Sequence, residues 1–201
     1  RRCYVVDEEQ LLFSKKSNLY LKLIAGLAIC MSIFQLYVAL KPINPWILYV
    51  THLGFALILT FLYFPVNKTK IQIIFDLILI LIALIATIYY IYQTENILYR
   101  IGVAPTIWDI IIGSFVILMV LENARRSIGL ALPIISLIFI LYGIYGHYIP
   151  GFLGHAGISW DRLVSYLVGQ EGIFITPLST TARFVFLYIL LTLVDTSLVL
   201  S

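Results

Sequence analysis

The amino-acid sequence predicts an all-α membrane protein: a polytopic helix bundle of about six transmembrane helices plus one short amphipathic surface helix. Two observations predict this class. Hydrophobic residues make up 62% of the 201 residues and charged residues only 11%, against about 25% charged residues in an average soluble domain. Apolar runs long enough to cross about 30 Å of hydrocarbon also recur along the chain. These runs lack the alternation of barrel strands, so we expect helices.

The six apolar runs are separated by short segments that are polar or rich in glycine and proline. We predict transmembrane helices over residues 19–40, 46–64, 71–92, 106–121, 128–148 and 176–200. The fourth helix has the clearest start, because Thr106 and Asp109 form a capping-box pattern directly after Pro105. The polar segment between Gln93 and Arg100 is expected to be a loop.

A different kind of segment lies between the fifth and sixth runs. Residues 149–157 are rich in glycine and proline and predict a loop. After them, Trp160, Leu163, Val164 and Leu167 follow the spacing of one helix face. Ser159 is a candidate N-cap, and Asp161 suits the positive end of the helix dipole. Two interpretations are open: an amphipathic helix on the membrane surface, or a short core helix packed on the bundle.

The distribution of positive charge predicts the orientation in the membrane. Nine of the 13 Lys and Arg residues lie on the side of the N-terminus: Arg1, Arg2, Lys15, Lys16, Lys22, Lys68, Lys70, Arg125 and Arg126. Three lie on the other side (Lys41, Arg100 and Arg162), and Arg183 falls inside the sixth run. We therefore expect the N-terminus and the second and fourth loops to face the cytoplasm, and the amphipathic segment to face outward.

Polar side chains inside apolar runs are candidate functional residues, because placing them in lipid is costly. His52, near the start of the second run, has three interpretations: a haem ligand, a proton relay, or a packed histidine with a hydrogen-bond partner. A haem held by two histidines would need a second one at the same depth. His147 and His155 lie at or beyond the end of a run, which favours the packed histidine.

Other polar residues within the runs form no close pair in sequence: Gln35, Asp76, Arg183 and Asp195. Asp76 lies near the predicted cytoplasmic boundary, close to Lys68 and Lys70. An ion pair at this boundary is therefore favoured over an ion-binding site for Asp76.

Glu122, Arg125 and Arg126 form the densest charged group, directly after the fourth run. Glu122 and Arg126 have the i, i+4 spacing of a helical ion pair. One interpretation is a cytoplasmic anchor that fixes topology, and the other is a contact between two parts of a larger assembly. The sequence has no Walker motif, GxSxG, HExxH or cysteine pair, so nothing in it supports an enzyme. The basic residues lie between apolar runs, which indicates topology rather than nucleic-acid binding.

Several motifs together resemble a known family. The longest runs from Leu121 to Ile135, with the sequence LENARRSIGLALPII. Others follow or precede it in order: FQLY (34–37), THL (51–53), RIG (100–102), LYG (141–143), YIPG (148–151), EGIF (171–174) and PLSTTA (177–182). From about residue 21 to residue 194, the chain resembles the N-terminal part of the fused membrane component of TRAP transporters (tripartite ATP-independent periplasmic transporters) of the TAXI type.

This resemblance implies four parts, which are a cytoplasmic N-terminal segment (1–18), a small four-helix domain (19–126), a connecting transmembrane helix (127–148) and the start of the large transport domain (149–201). It implies uptake of an organic anion such as a carboxylate, by an elevator mechanism driven by a gradient of sodium or another cation. An external TAXI-type solute-binding protein would deliver the substrate to a bacterial or archaeal cytoplasmic membrane. The small domain would be part of the stator, in contact with lipid and the rest of the large domain.

In this family, the helix breaks that hold ions and substrate lie further along the large subunit, so no ion, substrate, metal or cofactor ligand carries over to this chain. The sequence begins at Arg1 rather than Met and stops at Ser201 in an apolar run, which predicts a piece of a longer protein. The candidate structural or interdomain contacts are Glu122, Arg125, Arg126, His52 and Asp109. The alternatives are a structural or assembly subunit without transport activity, and a haem-bearing anchor that uses His52.

Overall fold

The structure, a computed structural model, describes residues 18–65, 70–100, 103–169, 172–174, 176–186, 188–189, 191–192 and 196. These residues are all-helical and include no strand. Eight α-helices follow one another in them: α1 (Asn18–Leu40), α2 (Pro45–Tyr63), α3 (Lys70–Tyr92), α4 (Thr94–Arg100), α5 (Ile107–Ser127), α6 (Ala131–Tyr145), α7 (Trp160–Val168) and α8 (Thr176–Thr180). A 3-10 turn, Gly146–Tyr148, follows α6, and a π-helical turn, Thr181–Val185, continues α8.

Five helices are long and apolar enough to cross a membrane: Tyr20–Leu40, Pro45–Tyr63, Ile71–Tyr92, Ile107–Ser127 and Ala131–Tyr148. They coincide with the first five predicted spans, so this part of the prediction is confirmed. The predicted sixth span, residues 176–200, is described only as α8, the π-helical turn and a few residues beyond. Its full length lies outside the described residues and stays a prediction.

The fourth span is longer than predicted. Helix α5 continues beyond Leu121 to Ser127, because Glu122 pairs with arginines three and four residues later on the same helix face. Gly129, with a φ of 109°, then ends the helix, and its N–H donates to the Ala124 carbonyl at 3.2 Å. A positive φ favours glycine at this position. The fifth span starts at Ala131, after this turn.

The segment predicted as a loop after the third span is the short helix α4, so this prediction was wrong. The chain breaks its helix only at Gln93 and resumes at once, with the Ile97 N–H donating to the Gln93 carbonyl at 2.8 Å. The reason is the side chain of Ile97, which is 1% exposed and packs in the core. One buried apolar residue thereby fixes a segment that is otherwise polar.

Helix α2 is the centre of the bundle. It packs against α1, α3, α5 and α8, and half of its apolar stretch is buried within the protein, against 11 to 28% for the other spans. Its most extensive packing is against α3, where a side chain at Gly54 would overlap the hydroxyl of Thr87. The outward faces of α1, α3 and α6 remain apolar and exposed, as expected for surfaces that contact lipid.

Helix α7 packs along α5 through one apolar face. Leu163, Val164 and Val168 are buried on this face. A Cβ at Gly113 of α5 would come within 2.7 Å of Val164 Cγ1, so the absence of a side chain there permits the contact. This arrangement corresponds to the interpretation of a short helix packed on the bundle. The polar face of α7 stays exposed, as an amphipathic helix requires.

The start of α7 differs in detail from the sequence prediction. Ser159 occupies the N-cap position, but its hydroxyl accepts no hydrogen bond from the helix backbone. The hydroxyl instead bonds to the Asp161 carboxylate, and this hydrogen bond holds the pKa of that exposed carboxyl below its usual range. Asp161 lies in the first turn, where its negative charge also suits the helix dipole.

Candidate functional site

Arg126, at the end of α5, is the centre of a buried charged cluster. Its side chain is only 3% exposed, and its Nη2 lies 2.7 Å from Asp76 Oδ1 of α3. Its Nε donates to Glu122 Oε1 at 2.7 Å, and its Nη1 donates to the Phe64 carbonyl at 3.3 Å, just beyond α2. The guanidinium also lies 5.0 Å from the ring centroid of Phe61. One cation therefore joins three spans.

The contact between Arg126 Nη2 and Asp76 Oδ1 is a charge contact rather than an aligned hydrogen bond, since neither atom meets hydrogen-bond geometry. At 2.7 Å its strength comes from charge attraction with little water between the groups. Loss of one partner from such a pair leaves the other charge buried and unpaired, which costs about 3–5 kcal/mol. We therefore assign the cluster a structural role in holding α3 and α5 together.

The sequence predicted an ion pair for Asp76, but the partner in the described residues is Arg126 instead of a lysine. Lys68 lies outside the described residues. The expected helical pair of Glu122 and Arg126 is present. The sequence did contain information that could have predicted this partner, because the distribution of Lys and Arg places Asp76 and Arg126 at the same membrane boundary.

Arg125 is the accessible part of this cluster. Its Nε and Nη2 both donate to the Glu122 carboxylate, each at 2.7 Å. Its side chain is 39% exposed, compared with 3% for Arg126. The two neighbouring arginines thus have different roles: Arg126 is held inside the bundle, and Arg125 presents its charge at the surface.

The same end of the bundle also includes α1. The hydroxyl of Tyr20 donates to the Leu62 carbonyl near the end of α2. The start of α1, the end of α2, the start of α3 and the end of α5 therefore meet at one end, which we call the charged end. This arrangement follows from four consecutive antiparallel spans with short connections.

At the opposite end, Asp109 connects α3, α4 and α5. The predicted capping box is confirmed: Asp109 Oδ2 accepts from the backbone N–H of Thr106 at 2.9 Å, and the Thr106 hydroxyl oxygen accepts from the backbone N–H of Asp109 at 3.4 Å. The other oxygen, Oδ1, accepts from the Tyr89 hydroxyl at 2.6 Å and lies 3.5 Å from Arg100 Nη2. The sequence identified the cap but gave no indication of Tyr89, which comes from the preceding span.

His52 has a hydrogen-bond partner on α1. Gln35 Nε2 lies 2.7 Å from His52 Nδ1, and both residues are buried. With the amide nitrogen as donor, Nδ1 accepts and the ring proton lies on Nε2. The ring of Phe186 lies edge-on to His52 at 5.9 Å. This confirms the expected packed, hydrogen-bonded histidine. His147 and His155 pack elsewhere, beside Gly157 and Gly146.

Phe174 closes the core at the same end as Asp109, a feature that sequence reasoning missed. Its ring lies 5.1 Å from both Trp46 of α2 and Tyr90 of α3, and it is 1% exposed. Trp46 Nε1 donates to the Tyr90 carbonyl at 3.4 Å. A residue beyond α7 thus completes the packing of the first spans.

The part of the chain that the structure describes contains no cluster of three or more His, Cys, Asp or Glu side chains able to hold a metal ion. No protein-family model, curated protein or solved structure matches this chain. The class of protein follows from the fold itself: five long apolar helices in one bundle define a polytopic α-helical membrane protein.

Proposed function

We propose that this chain is part of the permease of a TAXI-type TRAP transporter, which takes up an organic anion such as a carboxylate by secondary active transport. The observation that carries the proposal is the ordered series of motifs around LENARRSIGLALPII, residues 121–135. In this assignment the chain lies in a bacterial or archaeal cytoplasmic membrane with its N-terminus inside. An external solute-binding protein delivers the substrate, and a cation gradient, with sodium as the first choice, drives uptake.

The helix order supports this assignment. Spans α1, α2, α3 and α5 form one bundle in which their alternate ends meet at the charged end. Helix α6 then follows as a single further span, and α7 begins a segment that folds back onto α5. This is the order expected for a small four-helix domain, a connecting helix and the start of a transport domain.

The buried ion pairs suit a stator, the part of a transporter that stays fixed while another part moves. Arg126, Asp76 and Glu122 join two spans at one end, and Asp109 joins three helices at the other. These ion pairs and hydrogen bonds at both ends of the bundle resist the sliding of one helix along another. Arg125 remains accessible at the charged end for a contact with the rest of the permease.

Transport by the full-length gene product in proteoliposomes tests the proposal. We expect uptake from a panel of radiolabelled mono- and dicarboxylates only when the solute-binding protein and an inward cation gradient are both present. Collapse of the gradient with an ionophore should abolish uptake. Uptake that needs ATP and no gradient would refute the assignment, and no uptake together with a stop codon directly after Ser201 would favour a structural subunit.

A further inference from the structure

A cavity of about 370 Å³ lies between the end of α1, the turn that follows it, and the π-helical turn after α8. Its lining includes Gln35, Pro42, Leu48, Ala182 and Arg183. Ligand-binding pockets for small molecules have volumes of about 300–1,000 Å³. The cavity is therefore large enough for a small organic molecule or a headgroup.

The cavity carries one full positive charge. Arg183 lines it, and no carboxylate is among the described residues that form the lining. Within the described residues Arg183 makes no ion pair, and its guanidinium lies 5.5 Å from the centroid of the Tyr49 ring. The face of the Tyr49 ring attracts the positive charge of Arg183, but it does not accept hydrogen bonds from the five N–H groups that lie in the plane of the guanidinium. The Arg183 side chain is exposed, so these donors are accessible from the cavity.

A second polar group is fixed beside this charge. Gln35 is 5% exposed and is held in place by its hydrogen bond to His52 at 2.7 Å. That bond uses one amide hydrogen and leaves the second as a donor. Lys41 directly precedes the lining residue Pro42 in sequence and is exposed. Donors and positive charge without a carboxylate partner are the chemistry of an oxyanion site.

The backbone around Arg183 is also unusual. Residues Thr181–Val185 form a π-helical turn, a local widening that is frequently found at functional sites. The lining runs from Gln35, about 8 Å before the end of α1, to Ile43 in the turn beyond that helix. A charged side chain within a membrane bundle is a functional-site hypothesis by default.

We propose that this cavity binds a singly charged oxyanion, with Arg183 as the charge partner and Gln35 as a neutral donor. A carboxylate and a phosphodiester share this chemistry, so the ligand is either a free organic acid or the headgroup of an anionic lipid. The proposal rests on the lining of the cavity alone, so it requires neither the coupling ion nor the binding protein of the proposed transport activity.

Binding to the purified full-length protein in the uncharged detergent dodecyl maltoside tests the proposal. Sodium benzoate is the free-acid probe and phosphatidylglycerol is the lipid probe, each followed by calorimetric titration and by thermal unfolding. Saturable binding of benzoate identifies a free-acid site, and saturable binding of phosphatidylglycerol alone identifies a headgroup site. Either result supports the proposal, and binding of neither probe overturns it.

Variants assign the binding to this cavity. Arg183→Gln should weaken binding about ten- to hundredfold, the range expected for loss of a charged hydrogen-bonding partner, and Arg183→Lys should retain part of it. Arg162→Gln is the matched control, since Arg162 is exposed on α7 and does not line the cavity. Ala39→Trp, at an exposed position in the lining, should block binding while leaving every charge in place. Unchanged binding by both Arg183→Gln and Ala39→Trp would overturn the proposal.

Discussion

Arg126 Nη2 of α5 and Asp76 Oδ1 of α3 lie 2.7 Å apart at the charged end of the bundle, with side chains only 3% and 10% exposed. Both charges are therefore largely shielded from water. The neighbouring Arg125, on the same turn of helix, forms an ion pair with Glu122 at the same distance of 2.7 Å, but its side chain is 39% exposed. Two adjacent arginines in one short motif thus offer a direct comparison between a buried and an exposed ion pair.

Replacement of Arg126 by Gln should lower the free energy of unfolding by about 3–5 kcal/mol, because Asp76 is left as a buried, unpaired charge. Replacement of Arg125 by Gln should cost less than about 1 kcal/mol, since exposed ion pairs contribute little. Unfolding by SDS titration in mixed micelles, followed by circular dichroism, measures both variants under the same conditions.

The double variant Arg126→Gln with Asp76→Asn provides the control for this prediction. It removes both charges, so it should recover part of the stability that Arg126→Gln loses. Equal losses for the Arg125 and Arg126 variants would contradict the burial argument.

Gly54 permits the close approach of α2 and α3, because any side chain there would meet Thr87. Gly54→Leu should destabilise the protein by about 1–3 kcal/mol through overpacking between the two spans. Gly26→Leu in α1 is the matched control, since a Cβ at Gly26 has no neighbouring atom within 4 Å. Loss of a flexible glycine from a helix should leave that variant equally or more stable. A larger loss for Gly26→Leu than for Gly54→Leu, measured by thermal unfolding in detergent, would disprove the packing assignment.

Asp109→Ala should cost about 2–4 kcal/mol, because it removes the helix cap and leaves the partly buried Tyr89 hydroxyl without its charged acceptor. Tyr89→Phe removes only the second of these interactions and should cost about 0.5–1.5 kcal/mol. Asp161→Ala, an exposed acid in the first turn of α7, is the control and should leave stability nearly unchanged. SDS titration of the three variants tests this order, and a Tyr89→Phe loss as large as that of Asp109→Ala would contradict it.

The orientation predicted from the charges can be tested with reporter fusions. Alkaline phosphatase fused after Lys70 should be inactive, as expected for a cytoplasmic position, and a fusion after Arg162 should be active outside. Active phosphatase after Lys70 would reverse the topology. A green fluorescent protein reporter at the same two positions should give the opposite pattern and serves as the control.

The five long spans could be predicted from the sequence because a chain inside lipid needs apolar side chains and a backbone that is hydrogen-bonded within itself. The length of an apolar run is therefore enough to identify a transmembrane helix. The pairing of side chains between spans could not. Tyr89 and Asp109, or Gln35 and His52, are distant in sequence, and nothing in a single sequence records which helix faces meet. The helix α4 was missed for a similar reason, because its polar residues suggest a loop and only the tertiary burial of Ile97 overrides them.

The position of Phe174 has a consequence for how the protein is made. Its ring packs against both Trp46 and Tyr90, so the core of the earliest spans is completed only when residues beyond α7 have been added, with Leu178 and Ala182 following Phe174 in the same core. While the chain is shorter, the indole of Trp46 stays uncovered on one side. Nascent chains arrested before this residue should therefore remain targets for membrane chaperones and proteases, and chains arrested well beyond it should not.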